Sequence, residues 1–111
     1  MDSQLPIRKI PRSAIKFIMT PYKILPQQRA AAKKLGVTIK PSTVKGKKID
    51  VYKGAVKVAS IGARGYGDYW NYYRNTTPYY ASKKRDSYRA RHDGEQNDIG
   101  SPGYYAWFIL W

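Results

Sequence analysis

Residues 103–111 read GYYAWFILW, and the eight side chains after Gly103 are all aromatic or aliphatic. A run of this kind has to be buried, either in the chain's own core or against something else. Ser101 offers a helix cap and Pro102 suits the first helical position. Tyr104, Trp107, Phe108 and Trp111 follow at i, i+3, i+4 and i+7, which is one face of a helix. The spacing predicts a final helix whose ring-lined face closes a core.

What else fills that core follows from composition. Residues 49–111 contain one Leu (Leu110) and one Phe (Phe108), but all three Trp and ten of the eleven Tyr. A core there is made of rings whose polar tips need hydrogen-bond partners. With 111 residues, a single domain with a modest core is expected.

Charge divides the chain differently. Of the net +14, residues 1–48 carry +11, with Asp2 their only acid. Such a surplus implies a polyanionic or acidic neighbour. Residues 1–45 are therefore expected to form a basic extended arm, and residues 46–111 a compact aromatic-rich body. In the arm, Pro6, Pro11, Pro21 and Pro26 favour extended chain. The interspersed Ile7, Ile10, Ile15, Phe17 and Ile18 fit a strap lying on a surface better than a solvated tail. Arm residues expected to contact a partner are Arg8, Lys9, Arg12, Lys16, Phe17, Tyr22 and Lys23. The first 26 residues are Arg/Lys-rich and acid-poor like a transit peptide, but those prolines forbid one amphipathic helix. No apolar run approaches the roughly 18 residues of a membrane span. With no Cys there is neither a disulfide framework nor a thiolate zinc site.

The elements expected are few. PQQRAAAKKLG reads as a short helix over about 27–35, with Pro26 at its start, Lys33 and Lys34 at the negative end of its dipole and Gly36 at its cap. Residues 37–47 read as a connection. Ile49 and Val51, then Val56 and Val58, alternate as a β-hairpin turning at Lys53-Gly54. Residues 62–75, GARGYGDYWNYYRN with Ile61 before them, read as a glycine-punctuated aromatic loop. Thr77 and Pro78 open a helix in which Tyr80, Lys84, Tyr88 and Arg91 share one side. DGEQNDIG is a polar loop. The fold class is α+β: a small β-hairpin packed against two short C-terminal helices, preceded by the basic arm.

Catalysis has little to draw on. Nucleophilic chemistry needs a nucleophile, a base and an orienting group; His92 is the only His and there is no Cys. His92 reads better as a hydrogen-bonded residue at a helix end. Asp93, Glu95 and Asp98 lack EF-hand spacing. GARGYG lacks the Gly-Lys-Ser/Thr of a phosphate-binding loop. Neither cofactor, metal nor small-molecule substrate is expected, and the chain reads as a non-enzyme. One constellation carries a functional claim: Arg64, Tyr66, Trp70, Tyr73 and Arg74 set arginine among rings, as partner or nucleic-acid contacts do.

An ordered set of landmarks carries a resemblance. GKKIDV leads into a strand ending at Ile61-Gly62; GYGDY follows at 65–69, YRARH at 88–92, and a closing Gly-aromatic segment ends in Leu110-Trp111. In this order and spacing, residues 46–111 resemble a small uncharacterised domain family encoded by giant nucleocytoplasmic DNA viruses of algae and amoebae. The chain departs from it at Ile61, where the family has an aromatic residue, and in the insert WNYYRNTTPYY. The family carries no established activity. The resemblance implies a virion product, with Tyr88, Arg91, His92, Gly103, Trp107 and Trp111 as a structural signature. The expectation is a minor capsid protein. It would be made in the host cytoplasm and placed on the capsid's inner face, against major and minor capsid proteins and, by charge, packaged DNA. A nucleic-acid-binding protein of the viral core is the alternative.

Overall fold

The computed structural model describes residues 21–111. Three antiparallel strands lie in the order β1-β2-β3: β1 (Thr38–Pro41), β2 (Lys47–Lys53) and β3 (Val56–Ala63). Helix α1 (Pro26–Lys34) precedes them, and α2 (Tyr69–Asn75), α3 (Pro78–Arg91), a 3₁₀ turn (Glu95–Asn97) and α4 (Pro102–Ile109) follow. The α+β class, with a hairpin and C-terminal helices, is as the sequence implies.

Helix α1 begins at Pro26 and ends in a Schellman motif. The Val37 N–H bonds Ala32 O at 3.1 Å and the Gly36 N–H bonds Lys33 O at 3.0 Å. Gly36 sits at φ +75°, which favours glycine. The motif turns the chain into β1, so that Ala32, Val37 and Ile39 join Ile49, Val51 and Ile61 in one core. Part of the stretch read as arm thus lies inside the body. Strand β1, within the segment read as a connection, pairs Ile39 with Val51 and Pro41 with Ile49. Its sequence shows little because Ile39 is its only buried residue, and Pro41 is tolerated at a sheet edge.

The hairpin loop is Gly54-Ala55, one residue later than expected, since Lys53 pairs with Val56. Ala59 and Ile61 of β3 are buried in the core, whereas Val56 and Val58 are exposed. A register irregularity sits there: Val51 pairs with Ala59 but Tyr52 with Lys57. Val58 is the extra residue at this irregularity, so the alternation of Val56 and Val58 does not continue into the buried Ala59 and Ile61.

Residues 69–75, read as loop, form α2. The Asp68 carboxylate caps it by accepting from the Asn71 N–H at 3.3 Å. Helix α3 is capped by Thr77 with Pro78 at its first position, and α4 by Ser101 with Pro102, both as expected.

The buried face of α4 differs from the one read. Tyr105, Ile109 and Leu110 enter the core and Phe108 is 40% exposed. The short helix is covered on two sides. Tyr105 and Ile109, at i and i+4, meet the sheet side, whereas Trp107 and Trp111 turn to α3, where Trp111 stacks on Tyr88.

Candidate functional site

A cleft of about 550 Å³ opens between the β2–β3 end of the sheet, the segment at 66–67, α3 and the end of α4. It arises because α3 presents Lys84, Tyr88 and Arg91 along one side, toward Lys47 and Lys48 of β2. His92 also lines it, and among the described residues that line it none is Asp or Glu.

The rings of this cleft are stacked on one another. Tyr88 lies between His92, at 4.2 Å between centroids, and Trp111, at 4.7 Å and nearly parallel. Tyr72 meets the edge of Tyr80 at 5.5 Å, and the Lys84 ammonium lies over both rings. A Cβ on Gly67 would overlap the Tyr72 ring, so glycine at 67 lets that ring close the cleft. Burial, with the negative charge of Glu95 adding to it, pushes the Tyr88 hydroxyl up to about 12.

Charge around the cleft is uneven. Lys48 is paired with Asp68, and His92 Nδ1 lies 2.7 Å from Glu95 Oε2. Among the described residues, Lys47, Lys84 and Arg91 have no carboxylate partner.

Behind the cleft lies a buried polar network that sequence reading missed. The fully buried Asp68 accepts from Tyr22 Oη at 2.6 Å, Lys48 Nζ at 3.0 Å and Asn71 Nδ2 at 2.8 Å. Gln28, also fully buried, donates to Tyr22 Oη at 2.8 Å and accepts from the Leu25 N–H. Burial, the bond to Asp68 and that carboxylate's charge all raise the Tyr22 hydroxyl well above the ordinary phenol value. On the sheet, buried Asp50 accepts from Ser42 and Ser60 at 2.6 and 2.7 Å and pairs with Lys57 at 3.3 Å. Two acids of the body are thereby paired internally, each with a lysine.

The residues singled out from sequence are scattered by the fold. Arg8, Lys9, Arg12, Lys16 and Phe17 lie outside the described residues. Tyr22, read as an arm contact, is tied into the body through Asp68, and Lys23 is exposed. The five at 64–74 are not brought together. Arg64 and Tyr66 border a depression beside Tyr22, with Tyr66 77% exposed. Trp70 lines a different one with Phe108, and Tyr73 packs on it at 5.3 Å. Arg74 is exposed.

The signature residues fare otherwise. Tyr88, Arg91, His92 and Trp111 all line the cleft. Trp107 is buried beneath the Arg89 guanidinium, 5.0 Å from its ring centroid, and Arg89 also donates to the Trp111 backbone oxygen at 3.0 Å. The Glu95 carboxylate lies over Gly103, where a Cβ would collide with it. Asp93 accepts from Gln96, so the acids at 93–98 serve separate bonds. Among the described residues no group of three or more His, Cys, Asp or Glu side chains is placed to hold a metal ion. No described helix is long and apolar enough to cross a membrane.

Comparison with family models, with curated proteins and with solved structures finds no match to this chain.

Proposed function

We propose that this chain is a non-enzymatic structural protein of a large DNA virus particle, a minor capsid component that binds neighbouring capsid proteins. One observation carries the reading. The side chains with reactive potential, His92, Asp68, Lys48 and Tyr22, are bonded to one another or to structural partners, while positive charge and ring edges stay outward. That distribution suits a docking module. The resemblance of residues 46–111 to a domain family of giant DNA viruses supplies the setting. The basic N-terminal residues would extend the contact across adjacent major or minor capsid proteins on the inner face of the shell.

Particles emptied of genome test this. The chain is expected to stay on the empty shells. Its loss together with the genome would overturn the reading and favour the second one, a nucleic-acid-binding core protein. That second reading draws on the net +14 and on Tyr66, whose ring stands free. It requires affinity for nucleic acid that falls steeply with salt.

A further inference from the structure

We propose that the cleft between β2, α3 and the end of α4 is a binding site for an acidic, carboxylate-bearing segment of a partner protein. The inference rests on the reading of the chain as a docking module and gives that module a defined site and ligand chemistry.

Charge is the first argument. Lys47, Lys84 and Arg91 line one cavity, and among the described residues no Asp or Glu side chain lines it and none of the three is ion-paired. The other two basic side chains there, Lys48 and His92, already have Asp68 and Glu95 as partners. Three uncompensated cations around one concavity make a site whose potential is complementary to an anion.

Size and ring geometry select among anions. About 550 Å³ holds a few extended residues and is too small for a folded element. Nucleic-acid binders offer open ring faces on which bases stack. Here both faces of Tyr88 are covered, by His92 and by Trp111, and the Tyr72 ring is bordered by Gly67, Tyr80 and Lys84. Tyr66 at the rim is the exception. What the cleft offers is ammonium and guanidinium donors over ring edges, which suits carboxylates. Arg91 can grip one in a bidentate fork while the lysines act as point charges.

The test is binding of the full chain to labelled oligoglutamate, with oligoglutamine and oligothymidylate as comparison probes. Lys84→Gln combined with Arg91→Gln should weaken oligoglutamate binding about tenfold. Lys33→Gln combined with Lys34→Gln removes the same charge from α1, away from the cleft, and should change it little. The exchange Lys84→Arg with Arg91→Lys should retain most of the affinity, separating charge from fold. Equal losses for the cleft pair and the α1 pair would overturn the proposal, as would tighter, cleft-dependent binding of oligothymidylate. Retention on empty shells is measured separately. A cleft pair that stays on shells as the parent does, without binding oligoglutamate differently, sinks the cleft and spares the structural reading.

Discussion

Lys48 of β2 and Asp68 at the start of α2 lie 3.0 Å apart, with side chains 5% and 1% exposed. Neither ion reaches water, so each depends on the other and on the hydrogen bonds around it. Asp68 also caps α2 and receives the Tyr22 hydroxyl, so one carboxylate joins the entry to α1, the sheet and the aromatic helix.

Asp68→Ala should therefore destabilise the fold by about 3–5 kcal/mol, because it strands the Lys48 ammonium. Lys48→Met combined with Asp68→Ala should cost much less than the two single changes added together. Chemical denaturation of the four proteins gives the coupling. Additive losses would mean the pair acts as two separate contacts.

The Asp50 carboxylate should contribute to stability in acid. Burial acts to raise it, but the hydrogen bonds from Ser42, Ser60 and Lys57 outweigh burial and hold it below its ordinary value. A depressed folded value gives stability that is present above the unfolded value, near pH 4, and is lost as pH falls through the folded value. Ser42→Ala with Ser60→Ala should move the acid unfolding midpoint to higher pH. An unchanged midpoint would place the acid-sensitive group elsewhere.

At the alkaline end the sign reverses. Tyr22 and Tyr88 are raised above the ordinary 10.0. Their contribution is complete below that value and is lost as pH climbs through the folded values, about 12 for Tyr88. Absorbance titration should show most tyrosines ionising near the ordinary value and a lagging fraction that coincides with unfolding. Tyr22→Phe should shrink that fraction and shift unfolding; a single ordinary transition would contradict the buried network.

Gly67→Ala probes the cleft wall. The added methyl would overlap the Tyr72 ring and should displace it from Tyr80 and Lys84. The expected cost is roughly 1–3 kcal/mol, the usual range for overpacking, with altered near-ultraviolet dichroism. An unperturbed spectrum would show that Tyr72 moves aside freely.

The helices whose signals are local were legible in the sequence. Thr77-Pro78 and Ser101-Pro102 announce α3 and α4 because a cap needs only its own next residues. Helix α2 reads as loop because Gly62, Gly65 and Gly67 lead into it, although Tyr69, Trp70, Tyr72 and Tyr73 fall on one side of a helix with Asn71, Arg74 and Asn75 opposite, a period carried by only seven residues. Strand β1 has one inward side chain and exists by pairing with β2. The Asp68 network was hidden for a different reason. Its partners lie 20 and 46 residues away, and Asp68 in sequence is one acid among rings and cations. Of the proposed cleft, Tyr88, Arg91, His92 and Trp111 stood out beforehand, whereas Lys47 of β2 and Lys84 of α3 converge only in the fold.

The closing helix separates a structural role from a surface one within two adjacent residues. Ile109 is 1% exposed and sits in the core with Tyr105 and Leu110, whereas Phe108 is 40% exposed and packs edge-on against Tyr104. Ile109→Ala should cost about 2–5 kcal/mol, as truncation of a fully buried aliphatic side chain does. Phe108→Ala should cost less than about 1.5 kcal/mol, since much of that ring already meets water and its aromatic pair is modest. Thermal and chemical denaturation of the two variants measures the difference. Equal losses would mean that Phe108 is covered in the folded protein and that α4 is turned from the orientation described. If instead only Phe108→Ala weakens attachment to capsid shells while leaving stability intact, that ring belongs to the docking surface.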